Sequence, residues 1–189
     1  MDIVSHGLWG GLAFGRTDKK RFWLAFLFGM APDLFAFGLL SARVIFGLAP
    51  RPQFTLGHPD PSFIPPYVFQ LYNMSHSLVI FAAVFLLIWV IRKRPLWEMS
   101  AWGLHILFDI FTHSEQFFPT PFLWPVSDVR FAGISWMHPL IFIPNVLALT
   151  VFYGYWLILG KRRAAEIESE PAIESDTEPE PVYEYERYQ

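Results

Sequence analysis

The chain has 189 residues, 53% of them hydrophobic and 19% aromatic, with a formal net charge of −3 and no cysteine. A mean hydropathy of +0.34 and several long apolar runs fit one membrane-embedded domain better than a water-soluble one. The absence of cysteine excludes disulfides and thiolate metal sites, so any metal must be held by His, Asp or Glu.

The charge is unevenly spread. Residues 164–189 carry nine acidic residues and one basic one, whereas residues 1–163 carry 13 Lys or Arg and eight Asp or Glu. The division expected from this is a membrane-embedded helical domain over 1–163 and an acidic, disordered tail over 164–189. That tail is rich in Glu, Pro and Ser and lacks the apolar surface to bury a core.

Residues 2–15 are apolar, with Gly7, Gly10 and Gly11 arranged so that a neighbouring helix can approach closely. The segment starts acidic and carries His6, which argues against a signal peptide. It is short for a full membrane crossing. A basic turn, Arg16 to Arg21, precedes an apolar helix expected over 22–40. Asp33 interrupts this helix directly after Pro32. A carboxylate inside such a run costs roughly 2.5–3.5 kcal/mol on insertion scales, which makes it a functional-site candidate. The alternative is an Asp paired within the bundle.

Residues 41–73 contain Pro50, Pro52, Pro59, Pro61, Pro65 and Pro66 and are expected to form a loop, with His58 at its surface. The next helix is expected over 74–91, with Ser75 as its cap and His76 in its first turn. Residues 96–113 form the central helix. Residues 114–136 read as an aromatic, proline-punctuated loop suited to covering a cavity at the membrane interface. A last helix over 137–160 contains Pro144-Asn145 and stops at Lys161-Arg162-Arg163. The fold expected is therefore all-α: a polytopic membrane bundle of four to five helices with proline-rich outer loops and a disordered C-terminal tail. The basic clusters at 16–21, 92–94 and 161–163 all fall on one side of such a bundle. The positive-inside rule makes that side cytoplasmic, with the C-terminus there and both long loops outside.

The central helix carries His105, Asp109 and His113 at a spacing of four. Successive steps of four turn a helix by about 400°, so His105 and Asp109 share one face and His113 follows one turn on. Neutral imidazole and carboxylate are the donors that zinc, manganese and iron accept. With the chain oriented as above, His76, Asp33 and, if residues 2–15 cross, His6 come to the same outer depth. The metal-ligand candidates are thus His6, Asp33, His76, His105, Asp109 and His113. His138 is a further candidate facing the outer cavity, and Glu115 and Asp128 are loop carboxylates that could serve as a general base.

Four motifs in order, Asp2-x3-His6, Ala31-Pro32-Asp33, Ser75-His76-Ser77 and His105-x3-Asp109, resemble a bacterial inner-membrane family of membrane-bound metal-dependent hydrolases. That family is distantly similar to the superfamily of zinc-dependent phospholipases C and single-strand nucleases. The resemblance covers residues 1 to about 136. It implies an all-α fold, metal ligation by Asp33, His76, His105 and Asp109, and His6 as a fifth ligand. Leu71 and Tyr72 stand where the commoner pattern has a His-Arg pair, so an arginine for a substrate phosphate is missing there.

The function expected is a metal-dependent hydrolase of the bacterial plasma membrane. It would hold one to three divalent ions, most plausibly zinc, and use metal-activated water on a phosphoester or a lipid-linked substrate. A transporter and a non-catalytic scaffold clamped by metal are the alternatives. The apolar inner halves of the helices speak against a transport path. The lipid bilayer is the expected partner, and no nucleic acid is expected.

Overall fold

A computed structural model describes residues 1–51, 54–55, 58–60 and 63–169. Residues 170–189, which hold most of the acidic tail, lie outside the described residues, as does the side chain of His58. The described chain holds six α-helices: α1 (Ile3–Phe14), α2 (Lys19–Ile45), α3 (Pro66–Ser75), α4 (Leu78–Arg92), α5 (Ser100–Thr112) and α6 (Pro139–Ser169). A 3-10 turn at Trp97–Met99 leads into α5, and two-residue strands β1 (Phe54–Thr55) and β2 (His58–Pro59) pair antiparallel in the proline segment. Met1–Tyr153 forms one compact unit; Gly154–Gln189 is a second, whose described part is the end of α6.

Local chemistry sets the helix starts. Asp2 caps α1 by accepting from the Ser5 amide at 2.9 Å, and Asp18 caps α2 through the Arg21 amide at 2.9 Å. α2 continues through Pro32 as one helix of 27 residues.

Several boundaries differ from those read from sequence, and α2 itself runs Lys19–Ile45 rather than 22–40. The proline segment is not wholly irregular, because Pro66 occupies the first turn of α3, where its missing amide leaves no helical bond unmade. This adds a helix to the four or five expected. Ser77 rather than Ser75 caps α4, accepting from the Ile80 amide at 3.2 Å while its hydroxyl donates to the Trp124 carbonyl. His76 therefore lies in the corner between α3 and α4, whose axes diverge by 57°, and not in a first turn. α6 also runs through residues 161–163 to Ser169, the last described residue.

α2 and Pro139–Gly160 of α6 are long and apolar enough to cross a membrane, and α3 with α4 makes a third such stretch if the bent pair is counted as one. α1 and α5 have 12 and 13 residues. They extend about 18–20 Å, short of a hydrocarbon core of about 30 Å. The expected central span at 96–113 is thus a short helix held inside the unit, with Ala101, Gly103, His105, Ile106, Asp109 and Thr112 buried. α4, by contrast, buries none of its residues.

α1, α2 and α5 pack closely enough that backbone meets backbone. A Cβ on Gly29 of α2 would lie 2.5 Å from the His6 carbonyl oxygen of α1. The end of α5 is closed by the following loop. The amides of Gly133, Ile134 and Trp136 donate to the carbonyls of His113, Phe111 and Thr112 at 3.0, 3.1 and 2.8 Å. These bonds satisfy carbonyls that a helix end leaves orphaned. On the outer side of α2, Ala36, Val68, Tyr72 and Phe118 make an apolar cluster that fixes α3 and the aromatic loop.

Because Gly29 faces backbone, Gly29→Ala has no flexible neighbour to push aside. The variant should lose about 1–3 kcal/mol of stability and lower the thermal unfolding midpoint, measured in detergent, relative to wild type. An unchanged midpoint would show that α1 can move off α2 freely.

Candidate metal centre

The carboxylate of Asp109 in α5 is the hub. It is fully buried, as are His76 and His105, and no Lys or Arg pairs with it or with Asp33 among the described residues. Its two oxygens face different partners.

Oδ2 lies 3.1 Å from His105 Nε2 and 3.5 Å from His76 Nε2. His76 Nε2 is 3.0 Å from His105 Nε2 and 3.5 Å from Asp33 Oδ1, and His105 Nε2 is 3.8 Å from Asp33 Oδ1. One donor atom from each of Asp33, His76, His105 and Asp109 fits within 4.8 Å of all the others. Four donors each about 2.0–2.1 Å from one tetrahedral ion would sit roughly 3.3 Å apart. The observed separations bracket that value.

The outer nitrogens of the imidazoles have partners of their own. His105 Nδ1 donates to the Gly29 carbonyl at 2.7 Å, so a neutral His105 turns its Nε2 lone pair inward. His76 Nδ1 lies 2.9 Å from Ser75 Oγ and 3.3 Å from the Tyr72 carbonyl. The two Nε2 atoms face each other at 3.0 Å, a distance that one shared hydrogen or a cation bound to both would satisfy. Asp109 Oδ2, buried beside them, has no hydrogen-bond partner. A buried carboxylate oxygen left without a donor is costly, and a divalent ion bound here would satisfy that oxygen and the facing nitrogens together. The donor set therefore fits a metal.

Oδ1 of Asp109 faces the other way. It lies against the Met1 amino group, 2.9 Å from His6 Nε2, 3.4 Å from His113 Nε2 and 3.4 Å from Thr112 Oγ1, which donates to it. His113 Nδ1 donates to the Phe118 carbonyl at 2.9 Å, so it too directs Nε2 inward. His6 stacks on His105 with ring centroids 3.6 Å apart, and its Nδ1 is buried with no partner.

Each helix supplies its ligand by a simple device. α5 sets His105, Asp109 and the residue after its end, His113, on one face by spacing. α2 brings the Gly29 carbonyl and Asp33 one turn apart on the same side. The corner between α3 and α4 turns His76 inward.

The other five ligand candidates thus surround Asp109: Asp33, His76 and His105 in one group with it, and His6 and His113 on its other oxygen. The remaining candidates do not join them. His138 is exposed and its Nδ1 accepts from the Leu140 amide at 3.3 Å, where it caps α6. Glu115 lines a separate small cavity with Asn73 and Arg130, and Asp128 is exposed. Reading the sequence alone missed Tyr72. Its ring stacks on His76 at 3.8 Å, and its hydroxyl donates to the Phe118 carbonyl at 2.9 Å. The i, i+4 spacing of Tyr72 and His76 was the available signal.

No protein-family model matches the chain, and comparisons with curated proteins and with solved structures give no significant match.

Supplying zinc to metal-free wild-type protein should raise its thermal midpoint by mass action. Asp109→Asn should abolish the rise, because it removes a ligand oxygen and the charge that offsets the ion. A zinc-dependent rise that survives in Asp109→Asn would remove Asp109 from the centre.

Proposed function

We propose that the chain is a membrane-embedded, metal-dependent hydrolase that acts on a phosphoester at the outer face of a bacterial plasma membrane. The observation that carries this reading is the buried group of Asp33, His76, His105 and Asp109, with one donor atom of each within 4.8 Å of the others, beside an unpartnered Asp109 oxygen. The motif order shared with the membrane-bound metal-dependent hydrolases supports it.

A bound divalent ion, most plausibly zinc for this His and Asp donor set, would acidify a water and polarise a phosphoryl oxygen. The chain's own residues supply the rest. His76, His105 and Asp109 are sealed from solvent, whereas Asp33 and His113 border a cavity of about 700 Å3. Substrate therefore reaches the centre on the Asp33 side, and Asp33 is the ligand that meets it. The carbonyls of Gly29 and Phe118 hold His105 and His113 in the tautomer that binds metal and keep them from drifting as charge shifts in the site. The Met1 amino group already occupies the Oδ1 side of Asp109, against His6 Nε2 and Thr112 Oγ1, so Asp33, His76, His105 and Asp109 would hold one ion on the Oδ2 side.

Metal-loaded protein in detergent should hydrolyse bis(p-nitrophenyl) phosphate. The activity should vanish on chelation and fall at least 100-fold in Asp33→Asn. If fully metal-loaded protein leaves a panel of phosphomonoesters and phosphodiesters intact, the ion is a clamp between helices and the scaffold reading replaces this one.

The orientation follows from the basic clusters and is open to labelling, because the chain has no cysteine of its own. In intact spheroplasts an impermeant thiol reagent should modify Asp128→Cys, in the aromatic loop, and spare Lys93→Cys, beyond α4. The reverse pattern would put the centre on the cytoplasmic side.

A further inference from the structure

Away from the metal centre, a cavity of about 260 Å3 lies between α3 and the loop that follows α5. Phe69, Tyr72 and Asn73 line it from α3, where spacings of three and four set them on one face. Glu115, Gln116, Phe118 and Arg130 line it from the loop, and none of the six ligand candidates is part of it. Glu115 and Arg130 are its only charged lining residues, and both are exposed. Among the described residues, neither side chain forms an ion pair or a hydrogen bond with the other or with any third group.

Two opposite charges that share a cavity without meeting select what enters. A simple anion drawn to Arg130 meets Glu115, and a simple cation drawn to Glu115 meets Arg130. A molecule that carries both charges satisfies both. The guanidinium fork matches a carboxylate through two parallel bonds, and the Glu115 carboxylate accepts from an ammonium. Asn73 and Gln116 add amide donors and acceptors at the same polar end. The opposite wall is apolar and fixed. Phe69 and Phe118 stack with centroids 4.9 Å apart. Phe118 has a φ of 51°, a left-handed backbone that a bulky residue keeps only where its surroundings impose it. Here its carbonyl receives the Tyr72 hydroxyl and His113 Nδ1, both at 2.9 Å. The volume falls below the roughly 300–1,000 Å3 of sites for drug-sized ligands, so a single small molecule fills it.

We propose that this cavity binds a free α-amino acid with an apolar side chain. Its carboxylate lies on Arg130, its ammonium on Glu115 and its side chain against Phe69 and Phe118. The site shares no ligand candidate with the metal centre and stands independently of the hydrolase reading.

The experiment titrates the full, zinc-loaded chain in lipid nanodiscs with L-phenylalanine by calorimetry. N-acetyl-L-phenylalanine, which lacks the ammonium, and L-phenylalanine amide, which lacks the carboxylate, are run beside it. L-phenylalanine should bind at least tenfold more tightly than either, since each blocked form leaves one charge of the cavity unmatched. Arg130→Gln should weaken L-phenylalanine at least tenfold and leave the amide unchanged. Glu115→Gln should weaken it as much and leave the N-acetyl form unchanged. Both positions are exposed, so the zinc-dependent rise in thermal midpoint should persist in both variants. Blocked forms that bind as tightly as the parent would overturn the site, as would no binding of L-phenylalanine at millimolar concentration. Equal binding to wild type and Arg130→Gln would mean that the amino acid only chelates an ion at the centre, and tighter binding of glycerophosphoethanolamine would make the cavity a head-group site; either result defeats the assignment.

Discussion

The described helices are arranged around the carboxylate of Asp109, buried in an apolar interior with no Lys or Arg among the described residues to neutralise it. Such a charge is not tolerated by itself in a low-dielectric interior. The chain answers with imidazoles: His76 and His105 on one oxygen, and His6 and His113 on the other together with the Met1 amino group. Asp33, His76, His105 and Asp109 bring one donor atom each close enough together that they could hold a metal ion.

The apolar architecture serves that requirement. α1 and α5 are too short to cross a bilayer alone and lie inside the unit, where α2 reaches past them as a long helix. Gly29 does two things at once. Its missing Cβ lets α1 come against α2, and its carbonyl fixes the His105 tautomer. Packing and site chemistry thus share an atom group, so a disturbance of helix contact reaches the ligands without touching them directly.

The aromatic loop after α5 is equally tied to the centre. It caps the orphan carbonyls at the end of α5, supplies the Phe118 carbonyl to His113 and accepts the Ser77 hydroxyl that starts α4. The loop holds α5 and the corner at His76 in fixed relation, and its Trp136 and Phe117 stand beside the cavity that leads to Asp33. Access to the centre and the geometry of the centre depend on the same segment.

Much of the site was legible in the sequence. The four-residue spacing from His105 to His113 forces a shared face on any helix, and an Asp after Pro32 in an apolar run demands a partner. Together with the depth expected for His6 and His76, those local rules picked out Asp109 and the five candidates around it. Other features lay beyond them. Pro66 reads as a breaker unless it falls in a first turn, and only the packing of Val68 and Tyr72 on α2 puts it there. The choice of Ser77 over Ser75 as cap, and so the placing of His76 in a corner, was decided by the Trp124 carbonyl, far away in the chain. The sequence could not show that His138 would stay at the surface, or that the two oxygens of Asp109 would face two separate groups. Spacing along one helix determines direction about its axis, whereas distance between helices is settled only when their surfaces close on one another.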